Sequence, residues 1–159
     1  MALSLTLGAI AWSAALFMAP LALARGPSPT GAAAAILYTG AARICHQRPE
    51  RSFHLAGVPL PVCSRCASLY VSGAAGALLA FLVLSRHGRP RMPRHARAIL
   101  IVAALPTAAT LALEFAGFAY PSSLVRAVSA LPLGAAAGWV FIRSLRAEGP
   151  PAQLLDSEL

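Results

Sequence analysis

Long apolar runs, separated by short polar segments, make up most of this chain. Four of the runs are about 20 residues long, which is the length that an α-helix needs to cross about 30 Å of hydrocarbon. The runs lack the apolar–polar alternation of barrel strands, and a backbone in lipid must satisfy its amides internally. We therefore predict four transmembrane helices, at about residues 3–24, 67–85, 98–118 and 124–142.

A fifth apolar stretch, residues 31–44, is too short to span a bilayer unaided. We expect it to form an interfacial or partly re-entrant helix, capped by Thr30, that brings Cys45 to the membrane surface. The predicted fold is thus all-α, a polytopic membrane helical bundle with four transmembrane helices plus a short interfacial helix. A single membrane domain covers residues 1–147, and a polar C-terminal tail covers residues 148–159.

The composition supports a membrane location. Hydrophobic residues make up 58% of the chain, charged residues only 11%, and the mean hydropathy is +0.69, which excludes an ordinary soluble enzyme. The net charge of +8 comes from arginines that lie in short clusters between the apolar runs. Basic residues in such positions bind lipid phosphates and set topology, so we expect the lipid bilayer and no nucleic acid as the partner.

The arginine clusters also indicate an orientation. One cluster lies between the second and third spans, and Arg143 and Arg146 follow the fourth span, so both groups fall on the same side of the membrane. By the positive-inside rule that side is cytoplasmic, which makes this a multi-pass cell-membrane protein with residues 43–66 extracytoplasmic. The first run ends in residues 22–24, Ala-Leu-Ala, as a signal peptide does, but no basic residue precedes it, and we expect it to be retained.

All three cysteines lie in one segment, residues 43–66, which we call the Cys/His loop. Cys45, Cys63 and Cys66 supply three thiols, and His46 supplies an imidazole, which is the ligand set of a tetrahedral site for zinc or another thiophilic metal ion. Neighbouring side chains usually point apart, so His54 competes with His46 for the nitrogen position. The first hypothesis is therefore a metal site at the membrane surface.

A second hypothesis uses the same thiols for redox chemistry. Cys63 and Cys66 fall at a predicted helix N-terminus, where the helix dipole and Arg65 stabilise a thiolate, and Cys45 is available to exchange with them. The protein is then a membrane thiol-disulfide oxidoreductase that works with a quinone or a partner protein. A structural disulfide or inert buried thiols are the plain alternative, and metal transport is weaker because Glu114 is the one acid inside a predicted span.

Several residues around the thiols are candidates for supporting roles. Arg48 and Arg51 suit either lipid headgroups or an anionic ligand. Tyr70 lies one helical turn beyond Cys66 and is expected as an aromatic residue at the membrane interface. Three prolines and Gly57 in the Cys/His loop favour an ordered conformation with a turn.

Glu114 needs a partner, because an ionised carboxylate near hydrocarbon is costly unless it is paired. Two spans separate the Cys/His loop from the end of the third span, so Glu114 lies towards the same side of the membrane as the cysteines. Arg126, at the start of the fourth span, lies towards that side as well. One interpretation is an ion pair that joins the third and fourth spans. The other makes Glu114 a hydrogen-bond partner or proton acceptor for the Cys/His cluster.

The fourth span contains Gly134 and Gly138, a spacing that lets a neighbouring helix approach closely. Gly73 and Gly76 in the second span are a second pair of small residues that favours close approach of a neighbouring helix. The spacing fits a contact within the chain or a homo-oligomer equally well.

The motifs of the Cys/His loop resemble those of the domain-of-unknown-function family 2085, a family of predicted membrane proteins. The resemblance is carried by Cys-His-Gln-Arg-Pro-Glu-Arg-Ser-Phe at 45–53, Gly57, Pro-Val-Cys-Ser-Arg-Cys at 61–66, Leu69, Tyr70, Gly73 and Gly76. Glu114, Ser123, Arg126 and Gly134 look like the counterparts of later family residues. The resemblance implies a multi-span membrane protein without an established activity, so whether the protein is an enzyme stays open.

Overall fold

The computed structural model describes residues 1–87 and 95–147. Within these ranges the chain forms five helices: α1 (Ala2–Ala24), α2 (Pro29–Ala41), α3 (Ser64–His87), α4 (Ala96–Phe115) and α5 (Ser123–Ala147). Of these, α1, α3, α4 and α5 are long and apolar enough to cross a membrane. The predicted all-α bundle of four spanning helices plus one short helix is confirmed.

Two helix ends differ from the hydropathy pattern for local reasons. The α2 helix begins at Pro29, and its cap is Ser28, whose Oγ accepts a hydrogen bond from the Gly31 N–H at 3.1 Å, so the predicted Thr30 cap is wrong. The α4 helix ends at Phe115 because Gly117 adopts a φ of 72°, a left-handed C-terminal turn that glycine favours. The predicted tail at 148–159 lies outside the described residues.

The helices pack in a simple order, with α3 at the centre. It contacts both α1 and α5, while α2 packs on α1 and α4 packs on α5. Because α3 and α5 are separated from the lipid by their neighbours over part of their surface, they carry most of the buried residues of the spans.

Glycines bring α3 and α5 into close contact. A Cβ atom added at Gly138 would overlap the backbone carbonyl of Gly73, and one added at Gly76 would overlap the carbonyl of Ala135. A Cβ at Gly134 would meet the backbone of Leu69 in the same way. The predicted small-residue contact is therefore confirmed as one between two helices of the same chain.

The Cys/His loop forms a compact cap over one end of the bundle. It contains a 3-10 turn, Pro49–Arg51, and a hairpin of β1 (His54–Leu55) and β2 (Val58–Pro59). The two turn residues, Ala56 and Gly57, have φ values of 50° and 77°, the positive angles of a type I′ hairpin turn. The turn expected at Gly57 is thus present.

Candidate functional site

The three cysteine sulfurs converge on one point where the Cys/His loop meets α3. The Sγ atoms of Cys45, Cys63 and Cys66 all lie within 4.8 Å of one another, and all three thiols are free. Cys45 and Cys63 are each only 8% exposed. The Cys63 backbone N–H donates a hydrogen bond to the Cys45 Sγ at 3.2 Å, which fixes the two chain segments against each other.

Apolar packing holds this thiol cluster in place. Cys45 and Cys63 belong to a buried group with Leu16 of α1 and with Leu60 and Val62 of the loop. Residues that follow the hairpin thus press the loop against α1 and α3, and the sulfurs meet in the seam between them. The proximity of the three thiols, on which both chemical hypotheses depend, is present in the structure.

Hydrogen bonds from side chains shape the loop around Cys45. Gln47 has a φ of 47°, and its Nε2 donates to the Tyr38 carbonyl at 2.7 Å and to the Pro61 carbonyl at 2.8 Å. The Tyr38 hydroxyl donates to the carbonyl of Pro59, and burial raises the pKa of this phenol. Gln47 and Tyr38 therefore tie the end of α2 to the segment that leads into Cys63.

The two candidate histidines lie apart from the sulfurs. Among the described residues, the group of ligand atoms within 4.8 Å of one another contains the three cysteines and neither histidine. His46 and His54 are both exposed. Strand alternation explains why His54 is exposed. Its neighbours Phe53 and Leu55 pack against the buried group, so His54 points to the other side. His46 stays near enough for its charge to act on Cys63.

The electrostatic surroundings favour a thiolate at Cys63. The pKa of the Cys63 thiol is lowered from 9.0, chiefly because the Cys66 side chain and backbone hydrogen-bond to the thiolate, with smaller contributions from Cys45 and from the charge of His46. Burial acts in the opposite direction but is outweighed. Arg65, which we expected to stabilise the thiolate, is not among these causes.

Arg65 contacts α4 instead of the thiols. Its Nη2 donates to the Thr110 Oγ1 at 3.3 Å and lies 3.5 Å from the Glu114 Oε2. The contacts of Arg65 are thus with Thr110 and Glu114, and its action on the Cys63 thiolate stays a prediction. The Arg65 side chain is long enough to reach α4, and sequence spacing alone does not reveal which partner its guanidinium group contacts.

The Glu114 carboxylate is the centre of a second cluster, which consists of Glu114, Arg51, Arg65 and Arg126 and which we call the arginine cluster. Its Oε1 lies 3.0 Å from the Arg126 Nη2, the ion pair predicted from the sequence, and 2.9 Å from the Arg51 Nη1. The glutamate side chain is only 8% exposed. One buried carboxylate thus joins the Cys/His loop, α3, α4 and α5.

The remaining supporting residues divide between surface and core. Arg48 is exposed and lines a cavity with Arg51 and Glu114. Tyr70 packs against the buried group around the thiols, and its ring meets that of Trp12 edge to face at a centroid distance of 6.0 Å. Its observed role is therefore contact between α1 and α3, which the interfacial position expected from sequence did not include.

Sequence reasoning missed two functional contacts. The pairing of Arg51 with Glu114 depends on the folded path of the loop, and no spacing rule connects positions so far apart. Gln47 as a loop anchor also went unnoticed, although its place inside the family-like motif that begins at Cys45 was an available signal.

Comparison with known proteins places the chain in a family. The family model described as "Predicted membrane protein (DUF2085)" matches residues 45–140, more than half of the chain, including the thiol and arginine clusters. An uncharacterised protein of Methanothermobacter thermautotrophicus is 32% identical over 91 residues, 57% of this chain and 78% of that protein. An uncharacterised protein of Methanocaldococcus jannaschii is 40% identical over 43 residues, 27% of this chain and 28% of that protein. No solved structure matches the chain. This chain therefore belongs to the DUF2085 family of predicted membrane proteins.

Proposed function

We propose that this membrane protein binds one thiophilic metal ion, zinc first among them, through Cys45, Cys63 and Cys66. The observation that carries the proposal is the convergence of three free thiols within 4.8 Å. Thiolates at 2.3 Å around a tetrahedral zinc ion lie about 3.8 Å from one another. The sulfurs therefore need to move by about 1 Å or less to enclose the ion.

The fourth ligand is proposed to be His46, the next residue along the chain from Cys45. His46 is exposed and follows Cys45 directly, and we propose that its side chain turns towards the sulfurs when the metal binds. His54 is the competing nitrogen ligand. With either histidine the shell is closed and the ion stabilises the fold, whereas an external ligand in the fourth position leaves the site open to chemistry.

The charge of the surroundings supports the proposal. Three thiolates and a divalent zinc ion carry one net negative charge, which is costly at the edge of a bilayer without nearby cations. The cavity that His46 lines also exposes Arg48, Arg51 and Arg65, so positive charge lies on the same side of the protein as the thiols. We propose that this end of the bundle is extracytoplasmic, in agreement with the arginine distribution.

Metal analysis of the full chain tests the proposal. The protein is purified in detergent without reductant or chelator, zinc is measured by elemental analysis, and free thiols are counted before and after chelation. We expect about one zinc per chain and thiols that become reactive only after chelation. Cys45→Ser, Cys63→Ser and Cys66→Ser should each lower zinc content, and metal-free wild type with all thiols reactive would refute the proposal.

Matched histidine variants identify the fourth ligand. We expect His46→Ala to weaken zinc binding and His54→Ala, an exposed histidine of the same loop, to leave it unchanged. Loss in His54→Ala alone would assign the position to His54. Loss in neither variant would indicate an external ligand.

A second candidate, a membrane thiol-disulfide oxidoreductase, draws on the same convergence, because Cys45 lies within reach of both thiols of the Cys63–Cys66 pair. In that reaction Cys63 and Cys66 form a disulfide and release two protons and two electrons, which reduce a quinone to a quinol or a partner's disulfide to two thiols. Metal-free protein with one free thiol and a reducible Cys63–Cys66 bridge would favour this function over metal binding.

A further inference from the structure

A cavity of about 470 Å³ opens beside the thiol cluster, between the Cys/His loop and the last turns of α4. Arg48, Arg51 and Arg65 line it together with His46. The volume falls in the range of small-molecule binding sites. We call it the arginine cavity.

The positive charge of the arginine cavity exceeds the negative charge beside it. Among the described residues Glu114 is the one acid in its wall. Arg51 and Arg65 share this single carboxylate and Arg48 does not contact it, so the three arginines leave a net excess of two positive charges. Glu50, the other acid among residues 1–87 and 95–147, is exposed and forms no ion pair with an arginine. Arginine cannot lose its proton at any ordinary pH, so this excess is permanent.

One buried N–H group of a residue that lines the arginine cavity also lacks an acceptor. The Arg65 Nε has no hydrogen-bond partner among the described residues. Buried donors are nearly always satisfied, and a charged donor left unpaired is costly. An oxyanion supplies both the acceptor oxygens and the missing negative charge, and guanidinium groups bind such oxygens in pairs.

The remaining wall of the arginine cavity is apolar. Phe115 is 85% exposed and Leu111 is 38% exposed, and both lie on α4, a spanning helix in which none of the residues is fully buried. A cationic cavity with an apolar edge at the end of a membrane helix matches the phosphate of a lipid headgroup, whose glycerol and acyl chains continue along the helix.

We propose that the arginine cavity binds a phosphate group through Arg48, Arg51 and Arg65, as the headgroup of a phospholipid or as inorganic phosphate. The proposal goes beyond the metal site and does not depend on it, because the phosphate contacts are made by arginines, no cysteine lines the cavity, and His46 is not needed to hold the phosphate. Its failure and the failure of metal binding are therefore distinguishable, and the test below is run on chelated protein.

Two probes test the proposal on the full chain. Inorganic phosphate is titrated calorimetrically into detergent-purified protein, with chloride at the same ionic strength as the reference. Separately, the protein is placed in phosphatidylcholine nanodiscs with and without phosphatidylglycerol, and lipid retained after release is counted by native mass spectrometry. Saturable phosphate binding identifies free phosphate as a ligand, and one retained phospholipid per chain identifies a headgroup. Either result supports the proposal.

Matched arginine variants locate the binding. We expect Arg48→Gln and Arg51→Gln each to weaken binding about tenfold, because each removes one charge-assisted contact. Arg43→Gln removes the same charge from an exposed position of the same loop, outside the cavity, and should leave binding unchanged. Among residues 1–87 and 95–147 Arg48 forms no ion pair with an acid, so its variant retains the Glu114 contacts even if Arg51→Gln folds poorly. No saturable binding of either probe, or an equal loss in Arg43→Gln, would overturn the proposal.

Discussion

Removing the charge of Glu114 should loosen α4 from the rest of the bundle. The helix packs on α5 and has no fully buried residue, so polar contacts account for much of its attachment. Besides Glu114, these contacts are the hydrogen bond from Thr107 to the Ser129 carbonyl at 2.8 Å, the pairing of Thr110 with Ser129 at 3.2 Å and the hydrogen bond from Arg65 to Thr110 at 3.3 Å. The carboxylate also connects α4 to the Cys/His loop through Arg51.

The cost of losing the carboxylate depends on what happens to each arginine. Arg51 is 27% exposed in its side chain and can turn to water, whereas Arg126 is 8% exposed and keeps its charge buried. Breaking a buried pair by removing one partner typically costs 3–5 kcal/mol. Since two close contacts and one longer contact are lost, we expect Glu114→Ala to lower the free energy of unfolding by about 3 kcal/mol.

The amide variant separates charge from shape. Glu114→Gln keeps one acceptor oxygen but not the charge, and its amide N–H groups face guanidinium donors, so we expect a loss of about 2 kcal/mol. Glu50→Gln is the matched control, because Glu50 is exposed and forms no ion pair among the described residues. It should change the free energy by no more than about 0.5 kcal/mol.

Reversible unfolding in mixed micelles, with hydrogen exchange as a local probe, measures these effects. We expect faster exchange in α4 for both Glu114 variants and unchanged exchange in α1. Combining Glu114→Gln with Arg126→Gln should cost less than the sum of the single changes by about 1 kcal/mol or more, because the second change removes the stranded charge. Wild-type stability in Glu114→Gln, or additive costs in the double variant, would refute the reasoning.

Three further predictions follow from the described contacts. Gly138→Ala should destabilise the protein by about 1–3 kcal/mol, because the added methyl group meets the α3 backbone. Gly8→Ala is the control and should not destabilise the protein, because nothing lies within 4 Å of the new atom; denaturant titration compares the two variants. Gln47→Ala should remove two hydrogen bonds and speed alkylation of the thiols in chelated protein, and equal rates would contradict the anchoring role. In chelated, reduced protein, the Cys63 thiolate should raise the free energy of unfolding above its unfolded pKa of 9.0, and this contribution should be lost as pH falls towards about 5. Cys63→Ser should flatten the dependence of the free energy of unfolding on pH.

The spanning helices were predictable because each is encoded locally. A run of about 20 apolar residues has one solution in a bilayer, and the span positions follow from it. The Glu114 and Arg126 pair was predictable as well. The number of membrane crossings places both residues at the same end of the bundle, and an unpaired charge there needs a partner. The α2 cap was missed although Ser28 before Pro29 is a typical helix start.

The loop contacts were not predictable from spacing. Which arginine reaches Glu114 depends on the path of residues 45–63, and that path is set by Gln47 in a left-handed conformation and by the hairpin turn at Gly57. The histidines illustrate the same limit. Cys45 and His46 are neighbours in the sequence, but the Cys45 thiol is buried and the His46 imidazole is exposed.

The loop is attached to the bundle at two places with different chemistry. At its ends, Cys45 and Cys63 bring sulfurs together in the seam against α1 and α3, and in its middle Arg51 pairs with Glu114 on α4. Between these places the chain turns through Pro49–Arg51, so the position of Arg51 follows from how the loop is anchored at Cys45. Because Arg51 contacts α4 through Glu114, a change in the loop at the thiols would act on a segment that is also attached to α4. The thiol cluster and the arginine cluster are thus two places at which the same loop, through Cys45 and Arg51, is attached to the bundle.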